Sequence, residues 1–254
     1  MRYALISDVH ANLPALEAVL ADIDRRSDVV AAYHLGDLVG YAPWPNETAH
    51  LLHERSISGV SGNYDSTVAT DYKNCGCRYE DPRQEELSHL SYDWTRAHVS
   101  PETKRLLGGL PFQIVIRPWG GHTTGTPRLT LVHAHPTSNL IYVEATRPDA
   151  FLGKMGADAM MERGDVIVFG HTHVPFHRAV DGRHFINAGS VGRPKDGDWR
   201  ACYAVLEFNA RGVEVEFIRV AYDVERAARS IIESTLPDDF AEYLRAGGKS
   251  PVNA

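Results

Sequence analysis

The amino-acid sequence predicts a mixed α/β (α+β) fold in which a second, partly antiparallel β-sheet packs on an open α/β sheet. Two patterns along the chain support this prediction. The N-terminal part alternates strand-like apolar runs with amphipathic helical segments, whereas short strands follow one another through turns from Phe112 onward. The 254 residues, 43% of them hydrophobic, are enough for one sizeable core. We therefore expect a single domain over residues 1–245 and a flexible C-terminal tail at 246–254.

The N-terminal part contains three strand–loop–helix units. The apolar strand Ala4-Leu5-Ile6 precedes a helix that begins after Asn12, and apolar residues recur at helical spacing from Leu13 to Ile23. The pattern further predicts strands at 29–35 and 57–61 and a helix at 46–55. Open α/β sheets bind their ligands outside the carboxyl ends of the strands, so the site is expected there.

The C-terminal part is predicted to supply the second sheet. Residues 66–82 are polar and lack periodicity, which indicates a loop near the site, and a helical pattern resumes at 83–98. Strands are predicted at 112–116, 129–133, 166–169, 177–180, 183–187, 201–208 and 213–220, and a closing helix at 224–234. Because these strands follow one another without predicted helices between them, we place them together in a partly antiparallel sheet.

Composition and charge exclude several functional classes. The net charge is −7 and the isoelectric point is near 6.0, so the chain lacks the basic character expected for binding duplex nucleic acid or an anionic membrane. Three cysteines, Cys75, Cys77 and Cys202, do not form a disulfide framework. A cytoplasmic protein is therefore expected, with Cys75-Gly76-Cys77 in a solvated loop rather than in half of a zinc site.

Clusters of metal-ligand residue types follow five strand-like runs. Carboxylate, amide and imidazole groups at strand ends can hold hard or borderline divalent ions, and a carboxylate can bridge two ions about 3.5–4 Å apart. The clusters are Asp8-Val9-His10, Gly36-Asp37, Gly62-Asn63-Tyr64-Asp65, His133 and Gly170-His171-Thr172-His173. Each cluster alone is a weak signal, but the ordered set favours a two-metal phosphoesterase.

This ordered set, D-x-H, G-D, G-N-x-D, H and G-H-x-H, resembles the calcineurin-like metallophosphoesterase superfamily. Residues 187–192 are also similar to the segment after the last ligand in many bacterial members, some of them described as diadenosine tetraphosphatase-like. The resemblance implies a four-layer αββα sandwich, with two face-to-face β-sheets flanked by helices, and two divalent ions (manganese, iron, zinc or magnesium). It further implies that one ion is held by Asp8, His10, Asp37 and His173, and the other by Asp37, Asn63, His133 and His171.

The same resemblance implies a reaction. Water shared by both ions would lose a proton near neutral pH and attack phosphorus in line. Asp37, Asn63 and Asp65 are expected to take part in catalysis, and Asn63 and Arg193 are expected to contact substrate phosphate. His171 and His173 can reach the ions together only if the chain bends, which we attribute to Gly170.

Two positions depart from the family pattern. Tyr64 stands where many members carry a proton-donating histidine, and Gly40 replaces the second carboxylate of G-D-x-x-D. A phenol is poorly matched to proton transfer at neutral pH, so His135 is an alternative donor to Tyr64. A weaker acid favours substrates with good leaving groups, such as anhydrides and activated diesters.

The expected substrate is therefore a small phosphate compound: a phosphodiester, a nucleotide or a dinucleoside polyphosphate. Two alternatives remain open. One is a protein serine/threonine phosphatase, and the other is a non-catalytic scaffold on the same fold. A scaffold is expected to have lost metal ligands, whereas all seven positions here carry competent residues.

Overall fold

Two five-stranded β-sheets form the centre of the molecule. The computed structural model describes residues 1–78, 81–118, 126–210 and 212–249. The strands are β1 (Arg2–Ile6), β2 (Val29–His34), β3 (Ser58–Gly59), β4 (Gln113–Ile116), β5 (Leu129–Val132), β6 (Val166–Phe169), β7 (Phe176–Val180), β8 (Arg183–Asn187), β9 (Ala201–Asn209) and β10 (Gly212–Val220).

The first sheet has the strand order β10-β9-β1-β2-β3. β1 pairs with β2 and β2 with β3 in parallel, as the three strand–loop–helix units predict. β9 pairs antiparallel with β1, Tyr3 lying opposite Leu206, so our placement of the last two strands in the second sheet was wrong. Nearly all of β9 is buried, and a strand covered on both faces carries no pattern that shows which sheet it joins.

The second sheet has the order β4-β5-β6-β8-β7 and is mixed, as expected. β5, β6 and β8 run parallel, and β4 and β7 add antiparallel edges. A parallel β5–β6 pair needs a crossover, which contains the helix α6 (Asp149–Asp158). The sequence analysis missed this helix and expected no helix between these strands.

Seven further helices lie among the described residues. They are α1 (Leu13–Asp24), α2 (Pro45–Glu54), α3 (Asn63–Ala69), α4 (Pro82–His98), α5 (Pro101–Gly108), α7 (Val224–Glu233) and α8 (Asp239–Arg245). Asn12 accepts a hydrogen bond from Ala15 N and caps α1, as predicted. The helices α3, α5 and α8 were not predicted, and α3 occupies the start of the expected polar loop. Each spans eight residues or fewer, too few for a clear apolar repeat.

Burial confirms the layered arrangement. Residues such as Leu5, Leu206 and Val168 join the inner faces of the two sheets in one buried cluster. A second cluster packs helices against the outer face of the first sheet, and Leu16 of α1 belongs to it. A third cluster packs α6, with Leu152, against the outer face of the second sheet. The fold is thus a helix–sheet–sheet–helix sandwich.

Part of the predicted C-terminal tail packs against the domain. Gly197 N donates a hydrogen bond to Gly247 O at 2.9 Å, and a Cβ on Gly248 would lie 2.6 Å from Lys195 Cα. Residues 250–254 of that tail lie outside the described residues. Among the helices described, none combines the length and apolarity needed to cross a membrane.

Candidate metal centre

The seven predicted ligands meet at one end of the two sheets. Asp8 and Asp37 come from the loops after β1 and β2 of the first sheet, and Asn63 from the start of α3, which follows β3. His133 and His171 come from the loops after β5 and β6 of the second sheet. All seven are at most 5% exposed; the other two are His10 and His173. Neither sheet holds the full set, so the site exists only because the sheets face each other.

The loops that carry these residues are strained. Five of the seven have left-handed φ angles: Asp8 (52°), His10 (47°), Asp37 (52°), His171 (66°) and His173 (64°). Such a conformation costs a non-glycine residue roughly 1–3 kcal/mol and concentrates at functional sites. The tight turns it produces allow neighbouring ligands to point into one cavity.

Gly170 has a different role from the one predicted. His171 and His173 bend the chain through their own φ angles, whereas Gly170 is not in the left-handed region. A Cβ on Gly170 would lie 1.9 Å from Ser7 Oγ and 2.3 Å from Asp8 Oδ2. Glycine is needed here because the chain passes so close to Asp8.

Asp8, His10 and His173 form the first buried group suited to a metal ion. Asp8 Oδ2 accepts hydrogen bonds from Ser7 Oγ at 2.6 Å and from His171 N at 3.0 Å. Asp8 Oδ1 is buried without a hydrogen-bond partner among the described residues, 3.3 Å from His173 Nε2 and 3.9 Å from His10 Nε2. One oxygen thus fixes the carboxylate while the other points at the imidazoles.

Asp37, His133 and His171 form the second such group. Asp37 Oδ1 accepts from Tyr64 N at 2.9 Å, and Asp37 Oδ2 lies 3.6 Å from His133 Nε2 and 3.8 Å from His10 Nε2. The free oxygen of Asp37 therefore faces a histidine of each group. Asn63 joins the second group, since its Oδ1 lies 3.0 Å from His133 Nε2.

The chemistry of these nitrogen atoms fits a cation in each group. His10 Nδ1 lies 3.1 Å from Val39 O, and His173 Nδ1 lies 2.5 Å from Arg193 O. A carbonyl oxygen only accepts, so each Nδ1 carries the hydrogen and each Nε2 bears a lone pair. The two Nε2 atoms nevertheless face each other at 3.2 Å, an arrangement that a bound cation would stabilise.

The second group repeats this arrangement. His133 donates its Nδ1 hydrogen to Leu35 O at 2.8 Å, which leaves a lone pair on Nε2. Asn63 Nδ2 donates to Cys75 O at 3.1 Å and to Cys77 Sγ at 3.3 Å, so Asn63 Oδ1 faces His133 as an acceptor. The residues present thus fit a divalent ion at each group.

Burial also sets the protonation of these ligands. It lowers the pKa of His10 and His171 well below the ordinary value, with His173 and His133 respectively adding to the effect. Burial, with Lys195 nearby, lowers the pKa of His173 to about 4. These three imidazoles are neutral at pH 7, which is the form that binds metals.

Of Asp65 and Tyr64, both predicted to be catalytic, Asp65 lies behind the ligands and Tyr64 lies beside them. Asp65 is fully buried and accepts hydrogen bonds from the backbone N atoms of Asp37, Leu38 and Gly62 at 2.8–2.9 Å. The Tyr64 hydroxyl donates to Ser88 O at 3.5 Å, although the Tyr64 ring borders the cavity. Asp65 therefore positions the Asp37 loop, and the Tyr64 hydroxyl is engaged with α4.

His135 lies apart from the ligand groups. Its Nδ1 is 2.9 Å from Thr137 Oγ1, and its Nε2 is 4.0 Å from Asp158 Oδ2 near the end of α6. Its ring also packs 6.1 Å from that of Phe151. Both nitrogen atoms thus face groups outside the cavity, which is bordered by His10, Asp37, Asn63, His171 and His173 among the predicted ligands.

Arg193 borders the cavity, as predicted, and is 6% exposed, with its guanidinium 3.9 Å from the centre of the Tyr41 ring. The sequence analysis did not identify Tyr41, Tyr142 and Lys195, which also line it. Cys77 lines it too, and Cys75 is 2% exposed, so the expectation of a solvated Cys75–Cys77 loop was wrong. The sequence showed only that some of these cavity residues lie near a motif. Whether they reach the cavity depends on how distant loops fold.

Comparisons with known proteins agree with this geometry. A family model described as a calcineurin-like phosphoesterase superfamily domain matches residues 1–211. The uncharacterized protein MJ0912 of Methanocaldococcus jannaschii is 31% identical over 263 residues, which cover 96% of this chain and 97% of that protein. Phosphodiesterase YfcE of Escherichia coli K12 is 25% identical over 217 residues, with 82% and 88% covered.

A solved structure shares the whole architecture. The crystal structure of a metallophosphoesterase from Sphaerobacter thermophilus is 29% identical, has a TM-score of 0.74, and covers 97% of this chain and 99% of its own. The match covers both sheets of this chain and therefore all of the loops that carry its candidate metal ligands. The chain belongs to the calcineurin-like phosphoesterase superfamily and is a metal-dependent phosphoesterase.

Proposed function

We propose that the protein hydrolyses small phosphate esters or anhydrides with two divalent ions. In this proposal the ligands are those implied by the sequence motifs, and Asp37 is shared between the two ions. When bound, the ions would lower the pKa of a shared water and withdraw charge from the phosphoryl oxygens. The ligand sets are Asp8, His10, Asp37 and His173 for one ion, and Asp37, Asn63, His133 and His171 for the other.

The pairs of facing lone pairs are the observation that carries this proposal. His10 and His173 oppose their unprotonated Nε2 atoms at 3.2 Å, and His133 Nε2 opposes Asn63 Oδ1 at 3.0 Å. Two such repulsive contacts in one cavity, with the free oxygen of Asp37 between the groups, fit two cations better than one. Imidazole ligands favour manganese, iron or zinc over calcium.

The protein's own contribution is orientation. Ser7 Oγ and His171 N hold one oxygen of Asp8, and Tyr64 N holds one oxygen of Asp37. Asp65 keeps the loop of Asp37 in place through three backbone N–H groups. Each of these contacts fixes a ligand before the ion arrives, which reduces the reorganisation needed during reaction.

The cavity supports a small substrate with a good leaving group. Arg193 contributes a buried guanidinium, the group best suited to bind phosphate oxygens in pairs. The hydroxyl of Tyr64 is engaged with Ser88, and His135 faces α6, so neither contact supports efficient proton donation. Activated diesters and anhydrides need such donation least, and the similarity to a phosphodiesterase agrees with this substrate class.

Metal analysis combined with a hydrolysis assay tests the proposal. Protein stripped with a chelator and reloaded with manganese should hold two ions per chain and hydrolyse bis(p-nitrophenyl) phosphate. His171→Ala should lose this activity, whereas His177→Ala, at an exposed histidine outside the cavity, should keep it. Equal turnover of phosphoserine peptides would favour a protein phosphatase. Bound ions without any turnover would favour the scaffold alternative.

A further inference from the structure

Two cationic side chains border the cavity beside the metal ligands. Arg193 and Lys195 follow the turn at 187–192 and line the cavity together with Tyr142, Tyr41 and Cys77. Of these two, only Arg193 was predicted from the sequence to contact substrate phosphate. Because Lys195 lines the same cavity, a second cationic group is available to contact an anion larger than one phosphate.

Arg193 is a buried charge without a carboxylate partner. Its guanidinium lies 3.9 Å from the centre of the Tyr41 ring and 5.6 Å from that of Tyr243, and the aromatic faces provide partial compensation. Among the residues that the structure describes, no carboxylate forms an ion pair with it. A buried guanidinium without a counter-charge is unfavourable, and an anion entering the cavity would supply the missing charge.

Lys195 is half-buried and lines the same cavity. Burial and the neighbouring Arg193 together lower its pKa to about 8, against the opposing effect of the nearby carboxylates Asp8 and Asp37. Within the described ranges, Lys195 likewise has no ion-pair partner. Its backbone is fixed, because the Cα of Gly248 packs against it so closely that a Cβ there would lie 2.6 Å from Lys195 Cα. The ammonium group is thus presented by a held segment rather than by a free loop.

We propose that Lys195 and Arg193 form a second anion subsite, which binds the leaving phosphate of a phosphoanhydride substrate. This inference rests on the proposed function, because the first phosphate must react at the two metal-ligand groups. Lys195 and Arg193 line the cavity beside the metal ligands, where they can contact a phosphate group other than the one that reacts. They match a diphosphate or longer polyphosphate chain, such as that of a nucleoside polyphosphate.

The chemistry balances without a proton donor. Hydrolysis forms a P–O bond from water to the attacked phosphorus and breaks the P–O bond to the bridging oxygen, which keeps the electron pair. The two hydrogens of the water end on the product phosphates or in solvent. A departing phosphate is a weak base, with a second pKa of about 6, so Lys195 needs only to donate hydrogen bonds to it.

Binding to the metal-free protein tests the subsite separately from catalysis. Chelator-treated protein should bind inorganic pyrophosphate more tightly than inorganic phosphate in a calorimetric titration. Lys195→Gln and Arg193→Gln should each weaken pyrophosphate binding by roughly tenfold, and Lys195→Arg should retain it. Lys104→Gln removes one positive charge from α5 outside the cavity and should leave both affinities unchanged.

Hydrolysis by the manganese-loaded enzyme separates the two phosphate positions. Lys195→Gln should lower kcat/KM for ADP by roughly tenfold to hundredfold, and that for bis(p-nitrophenyl) phosphate by a clearly smaller factor. The diester serves as the comparison because its leaving group carries no phosphate.

The outcomes distinguish this inference from the proposed function. Equal pyrophosphate affinities in wild type and Lys195→Gln would overturn the subsite, and so would equal losses of kcat/KM on both substrates. If the loaded wild type hydrolysed neither substrate but its pyrophosphate binding still depended on Lys195, the proposed function would be wrong and the subsite would stand.

Discussion

The two metal-ligand groups differ in charge and in how the fold supports them. The first contains its own carboxylate, Asp8, and a free oxygen of Asp37 also faces it. The second has only Asp37 as a carboxylate and adds the neutral amide of Asn63. Because affinity for divalent ions rises with ligand charge, we infer that the first group binds its ion more tightly. We therefore expect one strongly held ion and one that exchanges more easily.

The supports differ as well. Asp8 is anchored by Ser7 and by the backbone of His171. Ser7 directly follows β1 and His171 lies just after β6, and each strand is the middle one of its sheet. Asn63 is held by Cys75 and Cys77, which lie between α3 and α4, where the described residues 70–78 form no strand. A ligand held by a loop is positioned less rigidly than one held at a strand end. The second ion should therefore respond more strongly to changes outside the ligand set.

Asp37→Asn should have the largest effect because Asp37 faces both groups. The amide cannot supply the bridging charge, so we expect loss of the second ion and a fall in kcat of about 10³-fold or more. Metal analysis measures the number of bound ions, and turnover of a nitrophenyl diester measures kcat. Asp181→Asn is a matched control, since Asp181 has the same φ of 52° and lies in the turn between β7 and β8. Two retained ions at full activity would refute the shared role of Asp37.

A pair of single substitutions should separate the groups. Asn63→Ala should weaken the second ion by about 10²-fold and leave the first bound, so that mild dialysis yields one ion per chain. Asp8→Asn should instead weaken the first. Asn46→Ala, which removes an amide that contacts His98 O away from the cavity, should keep both ions. If both variants, Asn63→Ala and Asp8→Asn, lost the same ion first, the inferred difference between the two groups would be wrong.

Asp65→Asn tests support for the shared ligand. The amide keeps one acceptor oxygen for three backbone N–H groups, so we expect a loss of about 1–3 kcal/mol in the free energy of unfolding. Activity should fall roughly 10–100-fold because the Asp37 loop is released. Asp165→Asn is the control: Asp165 is also buried and accepts from Arg128 N and Glu162 N. The Asp165→Asn variant should have a lower free energy of unfolding in a urea titration, while its metal content stays at two ions per chain.

Cys77→Ala should have the smallest effect. It removes the contact from Asn63 Nδ2 to sulfur, but the bond to Cys75 O remains. We expect less than about tenfold weaker binding of the second ion and an unchanged first ion. Cys202→Ala, at a buried thiol beneath Gly189, provides the comparison for an ordinary cysteine. Weakening of the first ion instead would contradict the assignment of this loop to the second group.

The sequence alone predicted the candidate ligands and the strands that precede them. Each cluster follows an apolar run, and both the run and the cluster are local in sequence, so periodicity and residue chemistry are enough to find them. The strands 166–169 and 183–187 agree with β6 and β8 at both ends. The order of the motifs led to the family resemblance, and the family model that matches residues 1–211 confirms this family.

Only the tertiary structure decided which residues meet. His10 and His173 are 163 residues apart, and their contact depends on the two sheets packing face to face. The pairing of β9 with β1, the approach of Lys195 and the contact of Cys77 with Asn63 likewise follow from long-range packing. Local patterns record whether a segment is buried but not what buries it, so these neighbours were invisible in the sequence.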